Sequence, residues 1–488
     1  MAWRNRQMYA PKWLLMDMGK VGRNMASDTL KKLLLLVAFR AGQSPSRRNI
    51  YKILEGALAG GGSPQFTEDN IKSYLEGSTP GADKGKSILK AINLTLFGST
   101  VASYFKNLSD PPDGVAAWDE YRNAIDHYLS DQSQHDLNIG GVLVVPDYDE
   151  IDPAEIDIQI KHANKNNTLK AHLLYHSPVA AYKWDSVKKS PSYEPLYKLC
   201  EEGLTALLRK KSLKDRLRGR CVVFNLGAGS ASKDDIILTS LIEATSPEPT
   251  FAWVDASYPM LHRTIKKISR NLLQNVDAVA LLTDFEKPGN IRKTYDNYVR
   301  KVHSVSSRRI PNFKDAKKVF FILGYTLSNL DEESFFSEYA KVCSPGDLFI
   351  FPMQFIPKVC KDKPDELVQF RSQLLGNYNF PEGRDLSHAG LALLQEYEPT
   401  ASFIDPIVGD FIFDGDKKSQ CVRFFVELKH KDSEDTKTVV TARSIRHYEE
   451  DYMTFLKSNG FEKLDESQEC NGVKTLAVQY IGRHAPQR

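Results

Sequence analysis

The chain has 488 residues, more than one hydrophobic core usually holds, so two or three domains are expected. Hydrophobic residues at 41%, charged residues at 26% and a net charge of +3 fit a globular protein and exclude a polycation. Six scattered cysteines, none in a CxxC pair, argue against a zinc site and against a secreted disulfide framework, so no metal and a reducing, cytoplasmic location are expected.

Residues 1–130 read as a helical domain. Its first 50 residues hold ten Lys/Arg against two Asp/Glu, a basic stretch that is either a solvated face or a contact for nucleic acid or a protein partner. The apolar run Leu33 to Phe39 is far short of the ~20 residues that cross a bilayer, and no small-residue cleavage site follows it, so neither a membrane span nor a signal peptide is expected. Thr67 is placed to cap a helix with Glu68 and Asp69 in its first turn. A second helical stretch beyond "GSTPGADKG" makes a helix-turn-helix or a plain bundle.

Residues 131–215 form an α+β connector and part of a substrate-side lid. There "GGVLVVPD" and "KAHLLYHS" look like strands, and 191–217 like one amphipathic helix with Leu196, Leu199, Cys200, Leu204, Leu207 and Leu208 on its apolar face. Residues 216–360 alternate apolar strands ("CVVFNL", "FAWVDA", "AVALLTDF", "VFFILGYT", "DLFIFPMQF") with amphipathic helices, the pattern of a parallel sheet covered on both faces. An antiparallel β segment is inserted within 361–445, and 446–488 supply a helix and a terminal strand pair. The fold class is therefore α/β, a Rossmann-like, mostly parallel sheet with antiparallel additions.

The stretch "CVVFNLGAGSASKDD" carries the chemistry. Gly227 and Gly229 stand at the carboxyl end of a buried strand, where open parallel sheets bind ligands and glycine lets the chain pass close to them. Position 232 is serine, so the dinucleotide fingerprint lacks its third glycine, and Ser232 with Asp235 reads as a helix-capping pair. Acids so near a helix start compete with a pyrophosphate for the same N–H groups, which favours a nucleoside cofactor without phosphate, S-adenosylmethionine. Asp255 ends the next strand, where a carboxylate accepts from ribose hydroxyls, and Asp284 with Phe285 ends the third, facing an adenine.

These motifs resemble the class I S-adenosylmethionine-dependent methyltransferases, and more narrowly the histidine-specific methyltransferase family, over about residues 175–482. "NLGAGSASKDD" is similar to that family's "ELGSGxSxKT", "FAWVDAS" to "YVPxDxS", "LLTDFE" to "xxGDFE", and "FFILGYTLSNLDEESFFSEYAKVCSPGDLFIF" to "LFLGSTIGNF…PGDxLLLG". The resemblance implies that Asn225, Gly227, Gly229, Ser230, Asp255, Asp284 and Phe285 surround the cofactor. It implies that Asn329 holds the backbone end of an amino acid substrate, and that Tyr182, Tyr193 and Ser444 face that substrate. Two positions depart from the family: "VTARS" has Ala442 where the family's "TExS" has its imidazole-binding glutamate, and Asn225 replaces the acid of "ELGSG".

The expected activity is methyl transfer to an amino group of an amino acid or small amine, with histidine itself disfavoured as the acceptor. No catalytic base is assigned; His176, His388 and His447 are candidates. The alternative is a cofactor-sensing or catalytically silent protein of this fold whose basic N-terminal domain meets nucleic acid or a protein. A base-amine methyltransferase is disfavoured, because "GYTLSN" stands where such enzymes carry an Asn/Asp-Pro-Pro-aromatic motif.

Overall fold

The structure, a computed structural model, describes chiefly residues 47–58, 66–76, 137–147, 165–175, 178–217, 221–229, 231–244, 249–305, 310–378, 380–383, 397–430 and 434–482. Internal contacts divide the chain into two units, Met1–Leu137 and Asn138–Arg488.

In the first unit, helix Glu68–Leu75 begins as its sequence predicts. Thr67 Oγ1 accepts from the Asn70 N–H at 3.3 Å, and Asn70 Oδ1 accepts from the Thr67 N–H at 3.1 Å. Helix Arg47–Leu58 packs on it through buried Ile50 and Leu54 against Ile71 and Tyr74. The basic residues 1–33 and most of the second helical stretch lie outside the described residues.

The second unit is built on a nine-stranded sheet. Its strands are β1 (Leu137–Ile139), β2 (Val142–Pro146), β3 (Cys221–Leu226), β4 (Thr250–Asp255), β5 (Asp277–Leu282), β6 (Lys317–Ile322), β7 (Leu348–Gln354), β11 (Phe461–Glu466) and β12 (Val473–Tyr480). The spatial order is β1-β2-β5-β4-β3-β6-β7-β12-β11. Pairing is parallel from β2 through β7, and β12 and β11 join antiparallel. Every residue of β3, β4 and β7 is buried, which is why these strands read as continuous apolar runs. Phe224, Phe320 and Phe349 lie directly opposite one another on β3, β6 and β7, with ring centroids 5.2 and 4.7 Å apart. At the amino end of β6, buried Lys318 pairs with buried Asp347 at 3.0 Å.

The chain runs β3, β4, β5 outward on one side, then returns to β6 on the other side of β3. The order reverses between β3 and β6, and a crevice opens at the carboxyl ends of the strands on either side. The inserted segment is a separate antiparallel sheet of β8 (Tyr397–Phe413), β9 (Lys417–His430) and β10 (Thr436–Arg446), in the order β10-β9-β8.

Three local expectations are corrected. "KAHLLYHS" contains helix Ala171–Leu174 rather than a strand. Its apolar run is too short for periodicity to separate the two states. The stretch 191–217 is two helices, Glu194–Leu208 and Lys211–Leu217, interrupted at Arg209 and Lys210. Ser232 lies inside helix Ala231–Ala244 rather than capping it, and its hydroxyl bonds Glu201 and Tyr197 on a neighbouring helix.

Candidate cofactor and substrate site

At the tip of β3 the chain turns through Gly227, whose φ of +79° is the left-handed region that L side chains avoid. Its N–H donates to Val254 O at 2.9 Å, which holds the turn against β4. A Cβ at Gly229 would stand 2.9 Å from Trp184 Nε1, closer than real Cβ atoms come. The Gly229 carbonyl accepts from Trp184 Nε1 at 3.0 Å and from Lys188 Nζ at 2.8 Å, both on helix Pro178–Lys189. Ser230 lies outside the described residues.

Helix Pro178–Lys189 is latched in turn by Asp185, which meets Lys188 at 2.8 Å, Lys267 at 2.6 Å and the Arg263 guanidinium. Burial alone would push the Asp185 carboxyl up, but these three cations outweigh it and hold the group well below the usual carboxylate range. Lys188 shifts down, because burial and the neighbouring Lys267 and Arg263 outweigh the help from Asp185.

Asn225, the last polar residue of β3, is buried with its Nδ2 donating to Asp234 Oδ1 in the first turn of helix Ala231–Ala244. Its Oδ1 is buried, has no hydrogen-bond partner, and belongs to a residue that lines the crevice. Asp234 itself is fully buried, and desolvation pushes its carboxyl up to about 8. Next to it Lys233 is also buried, its Nζ lying 3.6 Å from the centre of the Tyr197 ring, and burial lowers its pKa.

Asp255 ends β4. One carboxylate oxygen accepts from the Ser257 N–H at 2.7 Å, and Ser257 caps helix Tyr258–Lys267 through the Met260 N–H at 3.3 Å. Beyond β5, Asp284 and Phe285 are both buried, but only Phe285 lines the crevice; Asp284 Oδ1 accepts from the Glu286 N–H at 3.0 Å. Beyond β6, Gly324 and Tyr325 take φ of +68° and +61°, an uncommon conformation for tyrosine, and lead into a 3-10 turn, Leu327–Asn329.

Of the residues predicted from sequence, Asn225, Gly227, Gly229, Asp255, Phe285 and Asn329 line one pocket. Tyr193 does not: it is buried between Trp184, Tyr378 and Phe380, and its hydroxyl donates to Gly324 O at 3.3 Å. Ser444 is buried one layer away, 3.3 Å from the Tyr378 hydroxyl. Tyr182 sits on helix Pro178–Lys189, but its side chain, like His176 and His388, lies outside the described residues. His447 is fully buried away from the pocket lining, with Nδ1 2.8 Å from Ser419 Oγ and Nε2 2.9 Å from Glu332 Oε2.

The pocket also holds residues the sequence reading did not single out: Tyr175, Trp184, Tyr197, Lys233, Met260 and Thr326. Lys233 had a signal. A lysine in the first turn of a helix sits at the positive end of the dipole, a position that disfavours it unless an anion is near. Trp184 had none, because its place over Gly229 arises from tertiary packing alone.

The pocket fits a sulfonium nucleoside with an amino-acid tail. Asp255, at the tip of β4, would accept from ribose hydroxyls, Phe285 would offer a ring face to a base, and Asn225 Oδ1 is a buried acceptor without a hydrogen-bond partner. Lys233, a cation in the lining, would suit the carboxylate end.

Residues 159–401 match the profile of the family described as histidine-specific methyltransferase, SAM-dependent. Among solved structures, an S-adenosylmethionine-dependent methyltransferase from Clostridium acetobutylicum is similar at 14% identity and a TM-score of 0.30, covering 59% of this chain and 92% of that one. The CcbJ methyltransferase from Streptomyces caelestis is similar at 11% identity and a TM-score of 0.29, covering 58% and 90%. A glycopeptide N-methyltransferase complexed with S-adenosylmethionine is similar at 8% identity and a TM-score of 0.26, covering 53% and 80%. No curated protein matches the chain.

Proposed function

We propose that this chain, whose residues 159–401 match the histidine-specific, S-adenosylmethionine-dependent methyltransferase family, is a methyltransferase acting on an amino group of an amino acid or small amine, with histidine itself disfavoured. The observation that carries the reading is that Asn329, on the turn after β6, shares one pocket with Gly227, Asp255 and Phe285. The bound cofactor supplies an electrophilic methyl group. This chain's residues have three tasks: to hold the acceptor in line, to exclude water, and to receive the acceptor in its unprotonated form. Trp184, Tyr175 and Tyr197 wall the pocket with aromatic rings, which exclude water and tolerate a cationic sulfur or nitrogen at their faces. Asn329 presents an amide to the acceptor's backbone end. By the resemblance of "VTARS" to the family's "TExS", Ala442 stands in place of the imidazole-binding glutamate, which disfavours histidine as the acceptor.

The test is calorimetric titration of the intact chain with S-adenosylmethionine and its demethylated product, alongside Asp255→Ala. Binding in the roughly micromolar range that the substitution weakens at least tenfold is the expected result. A panel of amines with mass detection of methylated product then reads the acceptor. A wild-type chain that ignores the nucleoside, or one that binds it and methylates only oxygen or sulfur acceptors, would overturn the reading.

A further inference from the structure

Arg446, the last residue of β10, is fully buried. Its hydrogen bonds all go to neutral acceptors: Nε to Gln354 Oε1 at 3.0 Å, Nη1 to Ser444 Oγ at 2.9 Å and Ile445 O at 2.8 Å, and Nη2 to Tyr378 Oη. Among the described residues no carboxylate forms an ion pair with it, whereas the buried cation Lys318 has Asp347 at 3.0 Å. The rings of Tyr325 and Tyr378 flank the guanidinium, 5.2 and 5.7 Å from its centre, and soften the charge without neutralising it. A buried monovalent cation without a counter-charge costs several kcal/mol of desolvation.

The place of this charge matters. β10 packs beside the turn Leu327–Asn329, and Asn329 lines the cofactor pocket. Tyr378, at 6.4 Å from Tyr193, closes the other side, and Tyr193 bonds Gly324 O on the same wall. The guanidinium therefore stands one tyrosine layer behind the acceptor end of the site.

We propose that Arg446 is the counter-charge for an acidic group of the methyl acceptor. The substrate is an amino acid with a second, side-chain carboxylate, which is received by the planar fork of Arg446 with the hydroxyls of Ser444 and Tyr378 beside it. This rests on the amine-methyltransferase reading above. Arginine is suited to the task because it stays charged when buried and matches a carboxylate bidentately. Tyr378 is the last residue of helix Pro364–Tyr378, so admitting the acid requires one ring to turn at a helix end.

The experiment measures binding of matched pairs, glutamate against glutamine and aspartate against asparagine, to the intact chain saturated with S-adenosylhomocysteine. Arg446→Gln and Arg446→Lys are measured alongside, with thermal melts reporting on folding. The acid of each pair is expected to bind about tenfold or more tightly than its amide, since charge-assisted bonds are worth about 1.5–3 kcal/mol. That preference should vanish in Arg446→Gln and persist in part in Arg446→Lys. Equal binding of acid and amide by the wild type overturns the proposal and needs no variant to be folded. So does an acid preference that survives in a folded Arg446→Gln, which would mark a purely structural arginine. Failure to bind the nucleoside overturns the methyltransferase reading instead, and the acid–amide comparison made without nucleoside still reports on Arg446.

Discussion

Replacing Asp234 by asparagine should stabilise the protein, and by an amount that depends on pH. Asp234 has no exposed surface, and burial lifts its carboxyl from 3.8 to about 8. Three weaker influences pull it back, namely the nearby Trp253 indole and the cations Lys188 and Lys233, while Asp235 adds to the rise. The unfolded chain releases this proton near pH 4, whereas the folded chain keeps it to about pH 8. Between those values the unfolded state binds fewer protons, so stability is intact below pH 4 and falls as pH rises toward 8. At about 1.4 kcal/mol per unit, the loss at pH 7 is on the order of 4 kcal/mol. Asparagine keeps an acceptor for the Asn225 amide and has no proton to lose. Thermal or urea melts of wild type and Asp234→Asn from pH 4.5 to 8.5 isolate this one group. The two should coincide at the acid end and diverge steadily, with the variant the more stable at pH 8. Parallel curves across the range would refute the assignment of a neutral buried carboxyl.

Gly229→Ala should displace the Trp184 indole, since the added carbon would lie 2.9 Å from Nε1; a fall of about tenfold in nucleoside affinity with little change in melting temperature is expected by calorimetry. Asp347→Ala strands the buried Lys318 ammonium and should cost about 3–5 kcal/mol in a chemical melt, while replacing both members with apolar residues should cost less. Asp185 is held ionised by Lys188, Lys267 and Arg263, so the stability it contributes is present above the unfolded carboxyl's pKa and lost as pH falls. Asp185→Asn should therefore weaken the docking of helix Pro178–Lys189 at pH 7, read as faster amide exchange in that helix.

The parallel core was legible because β3, β4 and β7 are buried on both faces, and such strands announce themselves as unbroken apolar runs ending in polar tips. Gly227 and Asp255 were legible for the same reason: each is the first break after such a run. Thr67 was legible because capping is a local interaction between residues three apart. The substrate side was harder. Arg446 reads as one more charged residue at the end of a strand, and tertiary packing against Tyr325, Gln354 and Tyr378 buries it. Ser232 was misassigned because a serine before an acid is the pattern of a cap, and only the neighbouring helix, with Glu201 and Tyr197, shows that its hydroxyl faces sideways.

Helix Pro178–Lys189 holds the glycine loop by a main-chain oxygen, with an indole and an ammonium converging on the same carbonyl of Gly229. A carbonyl is supplied by any residue, so this clasp reads the path of the backbone and the absence of bulk rather than a side-chain identity. Sequence drift within the loop is tolerated so long as the trace is kept. The helix and the glycine loop are thereby tied at a single main-chain atom.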